Sequence, residues 1–191
     1  MGFESLPRSL FVRARLLTLI AVLLLAGGVS ACGGDDSSSE GETAATPAAT
    51  EAPAAPNTDA IAAGITKNTK KEPQIVTPEG APPTELISQD IVKGKGPKAK
   101  AGDQLTMQYA GYSWSNGQKF DASWDRGQPF KFQLGAGMVI PGWDQGLVGM
   151  REGGRRLLII PPDLGYGEAG AGGAIGPNET LIFAVDLEKI G

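Results

Sequence analysis

The sequence offers few groups that could do chemistry. Its 191 residues include no histidine and a single cysteine, Cys32. Without imidazole there is no Ser-His-Asp triad, no Cys-His pair, no His-ligated metal and no His general base. One cysteine makes neither an internal disulfide nor a cysteine zinc site. No metal and no cofactor is expected. Any chemistry falls to carboxylates, tyrosines, backbone groups or the shape of a pocket. The formal charge of −4 argues against nucleic acid as a partner, since phosphate binding needs a basic stripe. The clusters Lys93–Lys100 and Arg151–Arg156 read as solvated surface.

Cys32 sits where an address would be written. Arg8, Arg13 and Arg15 precede the apolar run LLTLIAVLLLA at 16–26, and small residues follow. This pattern reads as a secretory signal peptide over residues 1–31. The apolar run is shorter than the ~20 residues that span a bilayer comfortably. Val29-Ser30-Ala31-Cys32 resembles a bacterial lipobox, in which the cysteine carries a lipid and becomes the new N-terminus. An ordinary cleaved signal with an incidental cysteine, or an uncleaved anchor, is the alternative. Cleavage removes three arginines and one glutamate and leaves a mature charge of −6. The expected location is extracytoplasmic, anchored to the cell membrane through Cys32.

The remaining chain divides by composition. Residues 32–72 are rich in Ala, Pro, Thr, Ser, Gly and acids, with almost no large apolar side chain. Such a segment buries too little surface to offset its ordering entropy, so a disordered tether is expected. From residue 73 to 191 a folded domain is expected. LISQDIV at 86–92 reads as a strand, and LTMQYAGY at 105–112 alternates as a half-buried one. Asn116-Gly117 predicts a hairpin turn before a strand at 118–122, and PFKFQL at 129–134 alternates again. Trp143, Leu147 and Met150 fall at helical spacing just after Pro141. RLLII at 156–160 reads as a buried strand, followed by a Gly/Ala-rich loop at 163–178. LIFAVDL at 181–187 puts Leu181, Phe183, Val185 and Leu187 on one face. Several strands around one short helix predict an α+β domain with a largely antiparallel sheet.

The stretches GDQLTMQYAGY, NGQKFDASWDRGQPFKFQLG, VIPGWDQGLVGM, PPDLGYG and NETLIFAVDLEKI, in that order and spacing, resemble the FKBP family over about residues 84–190. The resemblance implies a twisted antiparallel sheet wrapped around a short helix, with an apolar cavity between them. It implies a peptidyl-prolyl cis-trans isomerase that needs no covalent intermediate. Asp121, Tyr166 and Trp143 match the family's catalytic positions. Tyr109, Phe120, Arg126, Phe130, Val139, Ile140 and Phe183 match the substrate-binding ones, and Ile175 is expected to supply an apolar contact from the loop. On pattern alone, Phe130, Val139, Phe183 and Trp143 would serve in any core. Asp121 would serve in a turn, and Tyr109 and Tyr166 as half-buried tyrosines.

The implied partners are proline-containing unfolded or partly folded polypeptides, macrolides such as rapamycin, and the membrane through its lipid. A monomer is expected. The sequence departs from the familiar family pattern after Tyr166, where GEAGAGGAIG replaces bulkier residues and leaves substrate preference and macrolide affinity open. Two other readings stand beside the isomerase: a non-catalytic chaperone or binding module on the same fold, and a surface lipoprotein with a structural role.

Overall fold

A computed structural model describes residues 54–191. The expected signal peptide, lipidated Cys32 and the tether up to residue 53 lie outside the described residues. The secondary structure runs α1 (Thr58–Gly64), β1 (Ile87–Val92), β2 (Gln104–Ser113), β3 (Lys119–Ala122), α2 (Ser123–Arg126), β4 (Phe130–Gln133), α3 (Pro141–Gly146), β5 (Arg155–Ile160) and β6 (Leu181–Ile190). Two 3-10 turns, at Pro162–Leu164 and Gly167–Ala169, break the loop before β6. The strands form one antiparallel sheet in the order β1-β5-β6-β2-β3, with β4 also paired to β2.

Strand β2 has ten residues and shares one edge between two partners. Its C-terminal half pairs with β3 through Ala110 and Gly111, and its N-terminal half pairs with β4 from Gln104 to Met107. Between them the chain leaves the edge as the single turn α2, which closes on Gly127 in the left-handed region (φ 65°). The buried Ser123 hydroxyl takes over the ladder at that gap, accepting the Tyr109 N–H at 2.8 Å.

Alternation along the strands sorts the side chains onto two faces. On one face Leu105, Met107 and Tyr109 of β2, Leu158 and Ile160 of β5, and Leu181, Phe183 and Val185 of β6 pack against Trp143 and Leu147 of the α3 region. The expected helix is shorter than its apolar spacing suggested. It ends at Gly146, and Leu147 and Met150 continue into the core from the turn that follows.

The other face is the main departure from expectation. Ala110 and Tyr112 of β2, Leu157 and Ile159 of β5, and Ile182 and Ala184 of β6 form a second buried cluster. It is covered by Ile61, Ala62 and Ile65, which lie in the segment expected to be a disordered tether. The boundary at residue 73 is therefore corrected: order begins within residues 54–72. Ile61, Ala62 and Ile65 occur at spacings of one and four, which gather them on one side of a helical turn. That small apolar set is enough because the sheet supplies its complement.

Polar contacts stitch the cover down. The Asn57 side chain accepts the Glu79 N–H at 2.9 Å and donates to the Thr77 carbonyl at 3.2 Å. Tyr112 donates to the Pro73 carbonyl, and the Trp114 indole to that of Gly80. The Arg151–Arg156 cluster is not the solvated surface expected: Arg155 and Arg156 are both buried, and Arg155 forms a two-pronged pair with Asp186 on the neighbouring strand at 2.6 and 2.7 Å. The same guanidinium donates to the carbonyls of Thr66 and Lys71 at 2.7 and 2.8 Å. A buried charge is tolerated only when its donors are matched in this way.

Candidate active site

The α3 face is not closed everywhere. A cavity of about 170 Å³ opens between the sheet and the N-terminal end of α3. Trp143 is the second residue after Pro141, whose fixed φ suits the first position of a helix. Only 4 % of Trp143 is exposed, and rings meet it edge-on. Its centroid lies 5.2 Å from Tyr109 and 5.3 Å from Phe183, both nearly perpendicular, with Phe130 at 6.2 Å. Edge-to-face packing of this kind holds an aromatic wall rigid. The Trp143 indole N–H is buried and finds no acceptor among the described residues.

Phe120 and Phe183 stand 5.5 Å apart on the neighbouring side. Gly111 makes room for both, because a β-carbon there would lie 2.7 Å from each ring. Val139 and Ile140, immediately before α3, complete the apolar lining. Tyr166 borders the opening from the loop after β5 and is 41 % exposed. That loop is pinned beside it by the Asn178 N–H donating to the Gly167 carbonyl.

One charged cluster borders this apolar space. The Asp121 carboxylate, at the end of β3, accepts from the Tyr109 hydroxyl and from the Arg126 guanidinium, both at 2.5 Å. Arg126 also donates to the Tyr109 oxygen at 2.6 Å, with its guanidinium carbon 5.5 Å from the Tyr109 ring centre. Each member thus contacts the other two. Burial, and then the bond to Asp121, push the Tyr109 phenol up to about 12. Hydrogen bonds to Tyr109 and then Asp121 push the Arg126 guanidinium further up, so the phenol and the guanidinium both keep their protons at ordinary pH. The geometry offers an aromatic-walled, ring-sized space with an oriented carboxylate on one side and an exposed phenol on the other.

Nine of the eleven expected positions border this cavity: Tyr109, Phe120, Asp121, Phe130, Val139, Ile140, Trp143, Tyr166 and Phe183. Two do not. Arg126 stands behind the lining, bonded to both Asp121 and Tyr109. Ile175 is turned inward and is only 7 % exposed, packed in the α3-face core. The small residues around it explain this. Ala171 and Ile175 exchange both backbone hydrogen bonds, at 2.9 and 3.0 Å, so the loop folds on itself and buries its one large apolar side chain. Met138 was missed. It lines the cavity although 64 % exposed, and its place directly before Val139-Ile140 was the available signal. Ser123, which bridges the gap between β3 and β4, had no signal in the sequence beyond its nearness to Asp121.

This fold has counterparts among known proteins. A family model described as FKBP-type peptidyl-prolyl cis-trans isomerase matches residues 96–188. An FK506-binding protein of Streptomyces anulatus is 55 % identical over 121 residues, covering 63 % of this chain and 98 % of that protein. An FK506-binding protein of Neisseria meningitidis is 51 % identical over 105 residues, covering 55 % of this chain and 95 % of that protein. The crystal structure of AtFKBP13 aligns with a TM-score of 0.53 at 39 % identity, covering 58 % of this chain and 96 % of that one. The chain belongs to the FKBP-type peptidyl-prolyl cis-trans isomerase family.

Proposed function

We propose that this isomerase accelerates X-Pro rotation in secreted or envelope proteins as they fold, while held at a membrane surface by a lipid on Cys32. The observation that carries the catalytic reading is the aromatic cavity, with one oriented carboxylate at its edge and one exposed phenol beside it.

Rotation about a prolyl amide is opposed by resonance worth about 18–20 kcal/mol, which leaves the bond turning over in tens to hundreds of seconds. The planar amide is the charge-separated form, negative on oxygen and positive on nitrogen. Water solvates it better than the twisted form. A proline ring seated against Trp143 between Phe120, Phe130 and Phe183 leaves that solvation behind and brings the two forms closer in energy. Asp121, held by Tyr109 and Arg126, places negative charge where it disfavours charge building on the amide oxygen. Because both partners fix it beforehand, no reorganisation is needed as the bond twists. The Tyr166 hydroxyl, beside the opening, donates to a substrate carbonyl and fixes the chain's orientation. Each role is a matter of positioning, and no proton or covalent bond changes hands.

The envelope location rests on the sequence around Cys32. No described helix is long and apolar enough to cross a membrane. The acidic mature chain and its Ala/Pro/Thr-rich segment before residue 54 suit a tether that holds the domain off the bilayer.

The test of activity is cis-to-trans exchange of X-Pro peptides by residues 33–191, with and without rapamycin. Fast exchange that rapamycin blocks supports the reading, and no acceleration by a folded protein refutes it. The anchor is tested separately. Cys32→Ser should move the full chain from the membrane to the soluble fraction, and an unchanged membrane fraction would remove the anchor.

A further inference from the structure

The lip of the cavity hangs on a carboxylate that lies outside it. After β4 the chain makes a turn, Leu134-Gly135-Ala136-Gly137-Met138, with Gly135 and Gly137 both in the left-handed region (φ 77° and 67°). Two glycines in five residues give a backbone wide conformational freedom. A β-carbon at Gly137 would face open space, and one at Gly135 would lie 3.1 Å from the Ala101 side chain. Asp144 ties both glycines down. One carboxylate oxygen accepts the Gly135 N–H at 2.8 Å and the other accepts the Gly137 N–H at 3.0 Å. Bonds of this charge-assisted type are about twice as strong as neutral ones.

Asp144 is the residue after Trp143, in the first turn of α3, and its own N–H returns to the Ile140 carbonyl. The carboxylate therefore joins the helix that carries the cavity floor to the turn that carries its lip. The turn ends on Met138, exposed yet lining the cavity. An exposed methionine at the mouth is a flexible apolar surface, suited to a bulky apolar side chain next to the seated ring. Such a surface is useful only if its backbone is held, because misplacing a contact by about 1 Å can cost 10²-fold in rate.

We propose that Asp144 is a positioning residue that fixes the Gly135–Met138 turn against α3, so that Met138 selects for a bulky apolar residue beside the substrate proline. The proposal rests on the reading of this cavity as the proline site. Asp144→Asn is the sharpest variant. It keeps the shape and one acceptor, but turns an amide donor toward one of the two glycine N–H groups.

The experiment measures kcat/KM of the full chain on X-Pro-Z peptides, with Ala or Leu at X and, separately, at Z. In the parent, Leu should be favoured over Ala at one of the two positions. In Asp144→Asn that preference should fall about tenfold, through KM more than kcat, with the Ala-Pro-Ala rate reduced far less. Met138→Ala should lower the same preference, and the double variant should add little, because both changes remove one contact. A role confined to stability would lower all peptides together and leave the preference intact, which would overturn the proposal. So would a Met138→Ala chain with unchanged preference, a result that does not depend on the Asp144 variant folding. A parent chain that accelerates no X-Pro peptide would sink the cavity reading itself. A parent active on every peptide with no preference would overturn only the role of Asp144 and Met138.

Discussion

The two faces of this sheet are built from the same strands and do different work. The face under α3 keeps a cavity in its core, rimmed by the single charged cluster of Asp121, Arg126 and Tyr109. The face under α1 is closed, and its charge is spent internally, between Arg155, Asp186 and two carbonyls of the covering segment. The family match at residues 96–188 spans most of the strands that make both faces. The cover on the second face comes from residues before that match. The lesson is a division of labour: one face gives up packing for a site, while the other is packed from outside the family domain.

That division predicts which changes move stability and which move activity. The largest effect is expected from starting the chain at residue 84. This removes Ile61 and Ile65 from the second face, at about 1.5–3 kcal/mol each, and strips two acceptors from Arg155. Urea denaturation should show a loss of roughly 5 kcal/mol, while kcat/KM per folded molecule stays near the parent value. A truncated chain of full stability would break the comparison.

Arg155→Met tests the same face from within. Asp186 is 2 % exposed, and without its partner it becomes an uncompensated buried charge. The expected cost is about 3–5 kcal/mol, read from the same denaturation curves. Ile61→Ala should follow at about 2–4 kcal/mol, again without loss of exchange activity.

The α3 face should respond in the opposite way. Asp121 is 43 % exposed in its side chain, so Asp121→Val should leave the unfolding midpoint nearly unchanged. It should nevertheless lower kcat/KM on X-Pro peptides by at least about tenfold, equivalent to about 1.4 kcal/mol of transition-state stabilisation. Trp143→Leu should lower activity as well, with some loss of stability because the indole is also core. An Asp121→Val chain of full activity would mean that the charged rim is not part of the site.

The smallest effect concerns pH. Below pH 10 the Tyr109 phenol keeps its proton in both the folded and unfolded chain. Between pH 10 and about 12 only the folded chain keeps it, so stability should decline as pH rises through that window. Tyr109→Phe should remove that part of the decline, and a decline of equal size in the variant would assign it to other groups.

Much of the site could be read in advance because its residues lie in short, ordered motifs. Asp121 follows Phe120 in one strand, Val139 and Ile140 lead directly into Trp143, and Tyr166 sits in its own tight turn. Each motif carries its local geometry with it. Ile175 could not be read that way. Its direction depends on whether a Gly/Ala loop extends or folds on itself, and that is settled by two backbone hydrogen bonds across four residues. The second core was harder still. Ile182 and Ala184 alternate with the four residues assigned to one face, and RLLII is apolar on both. A strand that is apolar on both faces requires a layer on each, which was the unused clue.

The sequence by itself determined the antiparallel strands, the short helix after Pro141, the aromatic and carboxylate groups of the site and the absence of imidazole chemistry. Those features follow from residue type and from periods of two and nearly four, which are local properties. Only the tertiary structure decided that residues 54–82 cover the sheet, that Arg155 is wholly buried, and that one carboxylate at position 144 holds the lip of the cavity. These contacts join residues across strands, turns and distant segments. Their energy comes from complementary surfaces and matched donors that exist only after the chain has folded.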